Sequence, residues 1–433
     1  MKAKFLAAVI ASCFATPAMA QSSVVLYGIA DAGVMYVDNG GNDSRVKLVS
    51  GIADGSRLGV KGTEDMGGGY KAIFNLEARV ELDTGRQQSG NLSSNQGFAL
   101  TKGLAFSVPA AAGGAATAAA LRAAAQGPRG LQPTYNVNIA NALFDRTAMV
   151  GLITPVGAVL LGRMYTPGYE VFNAADVFES GTAAGWGGIV GGTGGLVTAG
   201  IAIRSDKALQ YRIQLPSGLM ASLMYGFDKS GYIGLDKRSY GANVRYKANG
   251  WDVGLGHNYG TDQDGERGLI TTTLGGSYAL DNMKFFAGYH KQKNENSVII
   301  KLANQQLVPT FAQFGPALGA SLAGQLNTAL VRNFYLDAAS YQIGMHYRIG
   351  AGRIMASVVR QDDKTASNSD ATQYGLGYDY DLSKRTDIYA VVAYIKNQND
   401  GQYALGAASA TGGFTSRAGE SSKGVQIGMR HRF

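Results

Sequence analysis

The chain has 433 residues, and 61 of them are glycine, about 14 % against the usual ~7 %. With 23 tyrosines and nine prolines, that load suits many twisted strands joined by tight turns and argues against a helical enzyme. The formal charge of +8 is modest, and beyond the N-terminus no run of about eighteen uncharged apolar residues marks a membrane-spanning helix.

Residues 1–20 read as an export signal. Lys2 and Lys4 stand at the start, Phe5 to Phe14 is mostly apolar, and Ala18-Met19-Ala20 is a small-x-small cleavage site. Ile10-Ala11-Ser12-Cys13 offers a second reading, a lipidated Cys13. The apolar stretch before it is short, however, and Ala18-Met19-Ala20 follows in the usual place. Cleavage after Ala20 would leave a domain of residues 21–433 without cysteine, so without a disulfide, a thiolate nucleophile or a cysteine metal site. Losing Lys2 and Lys4 takes the formal charge from +8 to about +6. An exported chain of that charge is not expected to meet nucleic acid.

Strand-like segments then recur. Val24–Val37 is the first, Arg57–Glu64 the second and Tyr70–Leu82 the third, the last two joined by Asp65-Met66-Gly67-Gly68-Gly69. In the third, Ala72, Phe74, Leu76, Ala78, Val80 and Leu82 share one face, while Lys71, Asn75, Glu77, Arg79 and Glu81 share the other. A membrane barrel turns the apolar face to lipid and the polar face to water within, whereas a soluble barrel does the reverse. The number of strands helps to separate the two. Further segments at 144–154, 156–165, 204–215, 219–227, 238–248, 251–260, 267–280, 283–292, 339–349, 353–361, 371–382, 386–396 and 422–433 bring the total to about sixteen, too many for side chains to fill the interior.

Connections alternate in length. Short ones such as Pro216-Ser217-Gly218, Asn249-Gly250 and Asp281-Asn282 alternate with long ones at 38–56, 83–143, 166–203, 228–237, 293–338, 362–370 and 397–421 and a shorter one at 261–266. Outer-membrane barrels carry short turns at one rim and long loops at the other. The long loop Thr166–Ala202 has only acidic charges, Glu170, Asp176 and Glu179, and a glycine-rich tip from Trp186 to Gly195. Two inserts read as helical, the alanine-rich Pro109–Ala125 and Leu302–Val331 with Leu318, Leu322, Leu326 and Leu330 at four-residue spacing. Each reads as a surface loop with some helix, or as a helix that folds over a mouth or docks on a partner subunit. At the end, Val425, Ile427, Met429, His431 and Phe433 share one face, and Gln426, Gly428, Arg430 and Arg432 the other. An amphipathic strand ending on an aromatic residue suits a last strand that must pair with the first to close a cylinder.

A barrel-based enzyme would need a nucleophile, a base and an orienting group. His257, His290, His346 and His431 each sit inside a strand pattern, and no Gly-x-Ser-x-Gly or His-Glu-x-x-His motif occurs. Neither an enzyme nor a cofactor is expected. A substrate-specific channel and a surface adhesin are the remaining alternatives to a passive pore.

Several segments resemble one known family. Ser23-Val24-Val25-Leu26-Tyr27-Gly28-Ile29-Ala30-Asp31-Ala32-Gly33 and Ser56-Arg57-Leu58-Gly59-Val60-Lys61-Gly62-Thr63-Glu64-Asp65-Met66-Gly67 are similar to the first two strands of the trimeric general-diffusion porins of betaproteobacteria. Leu161-Gly162-Arg163, Ile203-Arg204-Ser205-Asp206 and Met429-Arg430-His431-Arg432-Phe433 resemble its fifth, sixth and closing strands. The resemblance implies an all-β fold, a roughly 16-stranded antiparallel transmembrane β-barrel with short periplasmic turns and long extracellular loops. It also implies a homotrimer in the outer membrane of a Gram-negative bacterium, in contact with lipid and lipopolysaccharide. The barrel-assembly machinery would read the C-terminal strand that ends at Phe433.

The resemblance further implies a third long loop folded inward to narrow the pore, facing a basic wall at Arg57, Arg163 and Arg204. Alternation supports Arg57 and Arg204, whereas Val159 and Leu161 share the parity of Arg163, so its inward placement rests on the resemblance. Lys61, Arg79 and Arg212 are further inward candidates, or wall residues far from the narrowing. Glu77, Glu81, Asp176, Glu179 and Glu170 are the acidic ones. The family commonly carries Pro-Glu-Phe-Gly-Gly in the third loop where this chain reads Val177-Phe178-Glu179-Ser180-Gly181. The expected function is passive diffusion of small hydrophilic solutes and ions, with a weak preference for anions.

Overall fold

The computed structural model describes residues 23–41, 43–87, 104–126, 142–190, 202–227, 237–262, 264–296, 298–408 and 412–433. The expected signal at 1–20 and the glycine-rich tip beyond Val190 lie outside the described residues. The strands are β1 (Ser23–Asp38), β2 (Ser44–Ser50), β3 (Arg57–Gly67), β4 (Tyr70–Arg79), β5 (Thr147–Thr154), β6 (Gly157–Tyr165), β7 (Arg204–Gln214), β8 (Leu219–Gly226), β9 (Ser239–Ala248), β10 (Trp251–Thr261), β11 (Arg267–Leu280), β12 (Met283–Asn294), β13 (Leu336–Ile349), β14 (Gly352–Asp363), β15 (Ala371–Asp381), β16 (Thr386–Asn397) and β17 (Ser422–Arg432). The helices are α1 (Gly114–Gln126), α2 (Pro167–Ala175), α3 (Gly187–Val190), α4 (Val298–Leu307) and α5 (Pro316–Phe334). Among the described residues, no helix is long and apolar enough to cross a membrane.

The sheet closes on itself. β17 pairs antiparallel with β1 from Ile29↔Arg432 to Asp38↔Lys423. The Phe433 N–H donates to the Gly28 carbonyl at 3.1 Å, and the Gly28 N–H donates to the Phe433 carbonyl at 3.0 Å. The expected sixteen wall positions are present, but the segment 38–56 is not all loop: it contains the additional strand β2. β1 pairs with β3 over Ser23–Ile29 and with β2 over Ala32–Asp38. β2 and β3 therefore lie end to end, and the 17-stranded sheet forms a barrel of 16 wall positions. The break between them, Gly51–Ser56, leaves the wall. There the buried Asp31 carboxylate accepts the amides of Ile52, Ala53 and Asp54 at 3.2, 3.1 and 2.8 Å and the Tyr389 hydroxyl at 2.6 Å.

The wall is inverted relative to a soluble protein. Ile343, Leu223 and Ile427 are exposed on the outside at 65, 65 and 62 %, whereas Gln342, Gln373 and Gln426 are buried within. In water such an outer surface would be an aggregation hazard, but in hydrocarbon it is the favourable one. The inner face is not uniformly polar, however. Met355, Val359, Val391 and Ile395 point inward and are buried in one apolar cluster with Tyr403 and Leu405 of the β16–β17 loop and Phe172, Val177, Phe178 and Trp186 of the long β6–β7 loop.

That loop is tied to the inner wall along its length. The Gln342 side-chain N–H donates to the Ala175 carbonyl at 2.8 Å, and Gln373 donates to those of Ala184 and Gly185 at 2.8 and 3.1 Å. The Trp186 indole N–H donates to the Ser340 hydroxyl at 2.7 Å, and the Ala183 amide to the Gln426 side-chain oxygen at 2.7 Å. The Thr182 amide donates to the Ile52 carbonyl at 2.6 Å, so the break between β2 and β3 props the loop from the side. Close approach needs residues without side chains. A Cβ at Gly288 would lie 2.6 Å from the Trp186 ring, and one at Gly344 would lie 2.6 Å from a Val177 methyl.

Gly288→Val should therefore unseat Trp186, an overpacking cost of about 1–3 kcal/mol, and push the loop into the lumen. The measurement is single-channel conductance, which should fall while the barrel keeps its heat resistance in detergent; unchanged conductance would refute this seat. Asp31→Ala strands buried donors at a cost of about 1–3 kcal/mol each, so the thermal midpoint of the barrel should drop.

Candidate functional site

Strand parity sends one side chain in two into the lumen, and on β3 to β9 many of those side chains are arginines. Together they line a cavity of about 630 Å³ between the wall and the β6–β7 loop. Arg57, Arg79, Arg146, Arg204, Arg212 and Arg245 face Asp54, Glu170 and Glu179 there.

Crowded guanidinium groups repel, so each needs a local counterweight. Arg57 and Arg79 sit directly opposite in register, a destabilising pairing for like charges. Arg57 turns to Asp54 and donates to the Gly55 carbonyl at 2.7 Å, whereas Arg79 turns to Glu81 at 3.1 Å. Arg146 pairs with Glu77 at 2.7 Å. Arg146 and Arg204 both donate to the Tyr165 hydroxyl oxygen, at 3.1 and 2.9 Å, and Arg204 lies 4.5 Å from the centre of that ring. Arg212 pairs with Glu170 from α2, and Arg245 makes a two-pronged contact with Asp252 at 2.5 and 2.6 Å.

The expected basic residues separate into two groups. Arg57, Arg79, Arg204 and Arg212 meet around the cavity. Arg163 is buried but donates to the Asp145 carbonyl at 2.6 Å and pairs with Asp206, outside the cavity lining. Its ladder shifts register between Gly162 and Met164, with φ of +128° at Gly162 and +47° at Lys207, so simple alternation does not carry across it. Lys61 lies along β3 toward the short turn, about 13 Å from Arg57 at the usual strand rise. Its ammonium sits 5.0 Å from the centre of the Tyr27 ring.

The acids of the loop differ from one another. Glu170 faces Arg212 and accepts from Asn243 at 3.2 Å. Asp176 is wholly buried and accepts the amides of Phe178, Ser180 and Trp186 at 2.9, 3.1 and 3.0 Å. Burial outweighs those three bonds and pushes its pKa up from 3.8 to about 7. Glu179 pairs with Arg353 at 2.7 Å. Partial loss of water opposes the ionisation of this half-exposed group, but the charge and hydrogen bond of Arg353 prevail and hold its pKa at about 2 instead of 4.5.

Sequence reasoning misses Arg146, Arg245, Asp54 and Tyr165. Arg146 falls in the expected segment 144–154 with the parity of Val150 and Leu152, which would turn it to lipid, but it stands before β5 begins and is buried. Asp54 lies in the break that looks like loop. Behind the loop, Asp379, Asp381 and Asp387 bring carboxylate oxygens within 4.8 Å of one another, the spacing of a metal cluster. Arg353 and Arg430 already occupy this group, at 2.9 Å from Asp379 and 3.1 Å from Asp387, so it reads as an ion-pair network.

A profile of the Gram-negative porin family matches residues 6–400. Outer membrane porin protein 32 of Delftia acidovorans is 29 % identical over 424 residues, 96 % of this chain and 95 % of that protein. An outer membrane porin protein of Bordetella pertussis is 27 % identical over 474 residues, 100 % of each chain. Among solved structures, an anion-selective porin from Comamonas acidovorans aligns with a TM-score of 0.65 at 26 % identity, covering 95 % of this chain and 100 % of that one. A closed barrel with an apolar exterior and a charged lumen agrees with all three, and the chain belongs to the Gram-negative porin family as a pore of the outer membrane.

Proposed function

We propose that small hydrophilic solutes cross at the narrowing between the arginine wall and the β6–β7 loop, with a weak preference for anions. The observation that carries this reading is that six arginines but only three carboxylates line the cavity, the acidic partners of Arg79, Arg146 and Arg245 standing outside its lining. Low-dielectric walls concentrate that field, and salt screens it only beyond roughly 8 Å, so an ion in the narrowing meets most of it. Apolar solutes cannot match the transverse field and are disfavoured, while a hydrated anion is drawn toward the wall. The relative from Comamonas acidovorans is itself described as anion-selective, which supports the same direction here. No step of this function is catalytic.

The rest of the proposal concerns assembly. Residues 1–20 would direct export, and the strand ending at Phe433 would be read by the barrel-assembly machinery. The mature barrel would form a homotrimer among lipid and lipopolysaccharide. Family membership supports these points, as does the exposed apolar band that needs lipid or protein cover.

Replacing Arg57 and Arg204 together by glutamine should move the reversal potential in a KCl gradient toward that of a cation-preferring pore. An unmoved potential would remove both residues from the selecting field. Acidity gives a second test. Asp176 has a raised pKa, so its contribution to loop stability is full below about pH 4 and is lost as pH rises through about 7. Glu179 has a lowered pKa, so its contribution is full above about pH 5 and is lost as pH falls through about 2. The loop should be seated most firmly near pH 5 and loosen toward pH 8, seen as rising open-channel noise. Asp176→Asn should flatten that rise, because the amide oxygen still accepts but does not ionise.

A further inference from the structure

The long loops build a second core, apart from the wall. Leu104 and Phe106 from the β4–β5 loop meet Ala303, Leu307, Phe311, Leu322, Leu326 and Leu330 from the β12–β13 loop, and Phe414 from the β16–β17 loop joins them. Phe106 and Phe311 touch edge to face with ring centres 5.6 Å apart. The Ser107 amide donates to the Gln325 side-chain oxygen at 2.7 Å. Arg332 pairs with Asp400 of that same β16–β17 loop, and Lys301 pairs with Asp262, which ties the helices to the β10–β11 loop as well.

The roots of these loops give the core its place. β4 and β12 stand eight wall positions apart whichever way the barrel is walked, so they lie on opposite sides. The shortest way for segments rooted on opposite sides of a barrel to share a core runs over its mouth. The face that α5 leaves exposed is small and uncharged over most of its length, with Ala317, Ala320, Ser321, Gly324, Asn327 and Thr328. In 104–126 and 298–334 the only charged residues are Arg122, Lys301 and Arg332. Such a structure adds bulk to the entrance and almost no field.

We propose that this helical arch is a second selectivity filter, acting by size at the extracellular mouth and independent of the charged narrowing below it. The arch makes the extracellular entrance tighter than the periplasmic one. It sets which solutes reach the arginine wall without changing how that wall sorts ions. This inference rests on the barrel being an open pore.

The test adds neutral polyethylene glycols of graded size to one face at a time of oriented single channels in a planar bilayer. In the native protein, polymers should enter from the periplasmic face at larger sizes than from the extracellular face. In F106D/F311D the extracellular limit should rise to the periplasmic one, with the reversal potential in a KCl gradient unchanged. Equal limits at the two faces of the native protein would overturn the filter. So would a heat-resistant F106D/F311D barrel that keeps the native extracellular limit. If the variant does not fold, the two-face comparison on the native protein still decides. A folded native barrel with no conductance would overturn the pore reading, and the filter with it.

Discussion

Hydrocarbon offers no partner for a backbone N–H or C=O, so a sheet that spans it must close. Here closure is made by β17 returning to β1, with Phe433 and Gly28 exchanging both of their backbone hydrogen bonds. Every other feature follows from that ring. Closure fixes which side of each strand meets lipid and which meets water, and so converts a two-residue alternation into an outer apolar band and an inner charged wall. It also sets a diameter that wall side chains cannot fill.

The empty interior is where the β6–β7 loop matters. A buried loop must satisfy its backbone, and this one does so in part on inward amide side chains, Gln342, Gln373 and Gln426, while Ser340 takes the indole N–H of Trp186. Inward glycines make room for it, and inward apolar residues pack beneath it. The wall strands β9 to β17 are thus adapted to carry the loop. The strands β3 to β9 carry most of the cavity's arginines, β9 serving both parts. The field arises between that arginine wall and the loop, because the cavity lies between them.

Those arginines stay charged in a crowded place because five of the six have a carboxylate beside them and Arg204 has the Tyr165 hydroxyl. Tyr165 is central to this arrangement, since its single oxygen accepts from Arg146 and Arg204 while its ring carries the guanidinium of the latter. A carboxylate at that position would cancel one of the two charges, whereas a neutral phenol holds both groups in place and cancels neither. The arch over the mouth works in the opposite manner, with an apolar core and few charges, so size and charge are handled at different heights of one channel.

Much of this was legible in the sequence. Alternation along Tyr70–Leu82 and along the closing strand determines sidedness. Alternating loop lengths determine the rims, and the parity of Arg57 and Arg204 sends both inward. Parity gives a side but neither a height nor a neighbour. Only the tertiary structure decided that Arg146 and Arg245 share the cavity while Arg163 and Lys61 stand outside its lining. A register shift at Gly162–Met164 cancels the alternation that would have placed Arg163, and Lys61 is separated from the cavity by distance along its strand. Asp176 and Glu179, three positions apart in one loop, meet opposite environments, buried amides for one and Arg353 for the other. No periodicity encodes that difference, because contacts between a loop and a distant strand depend on where the closed ring brings them together.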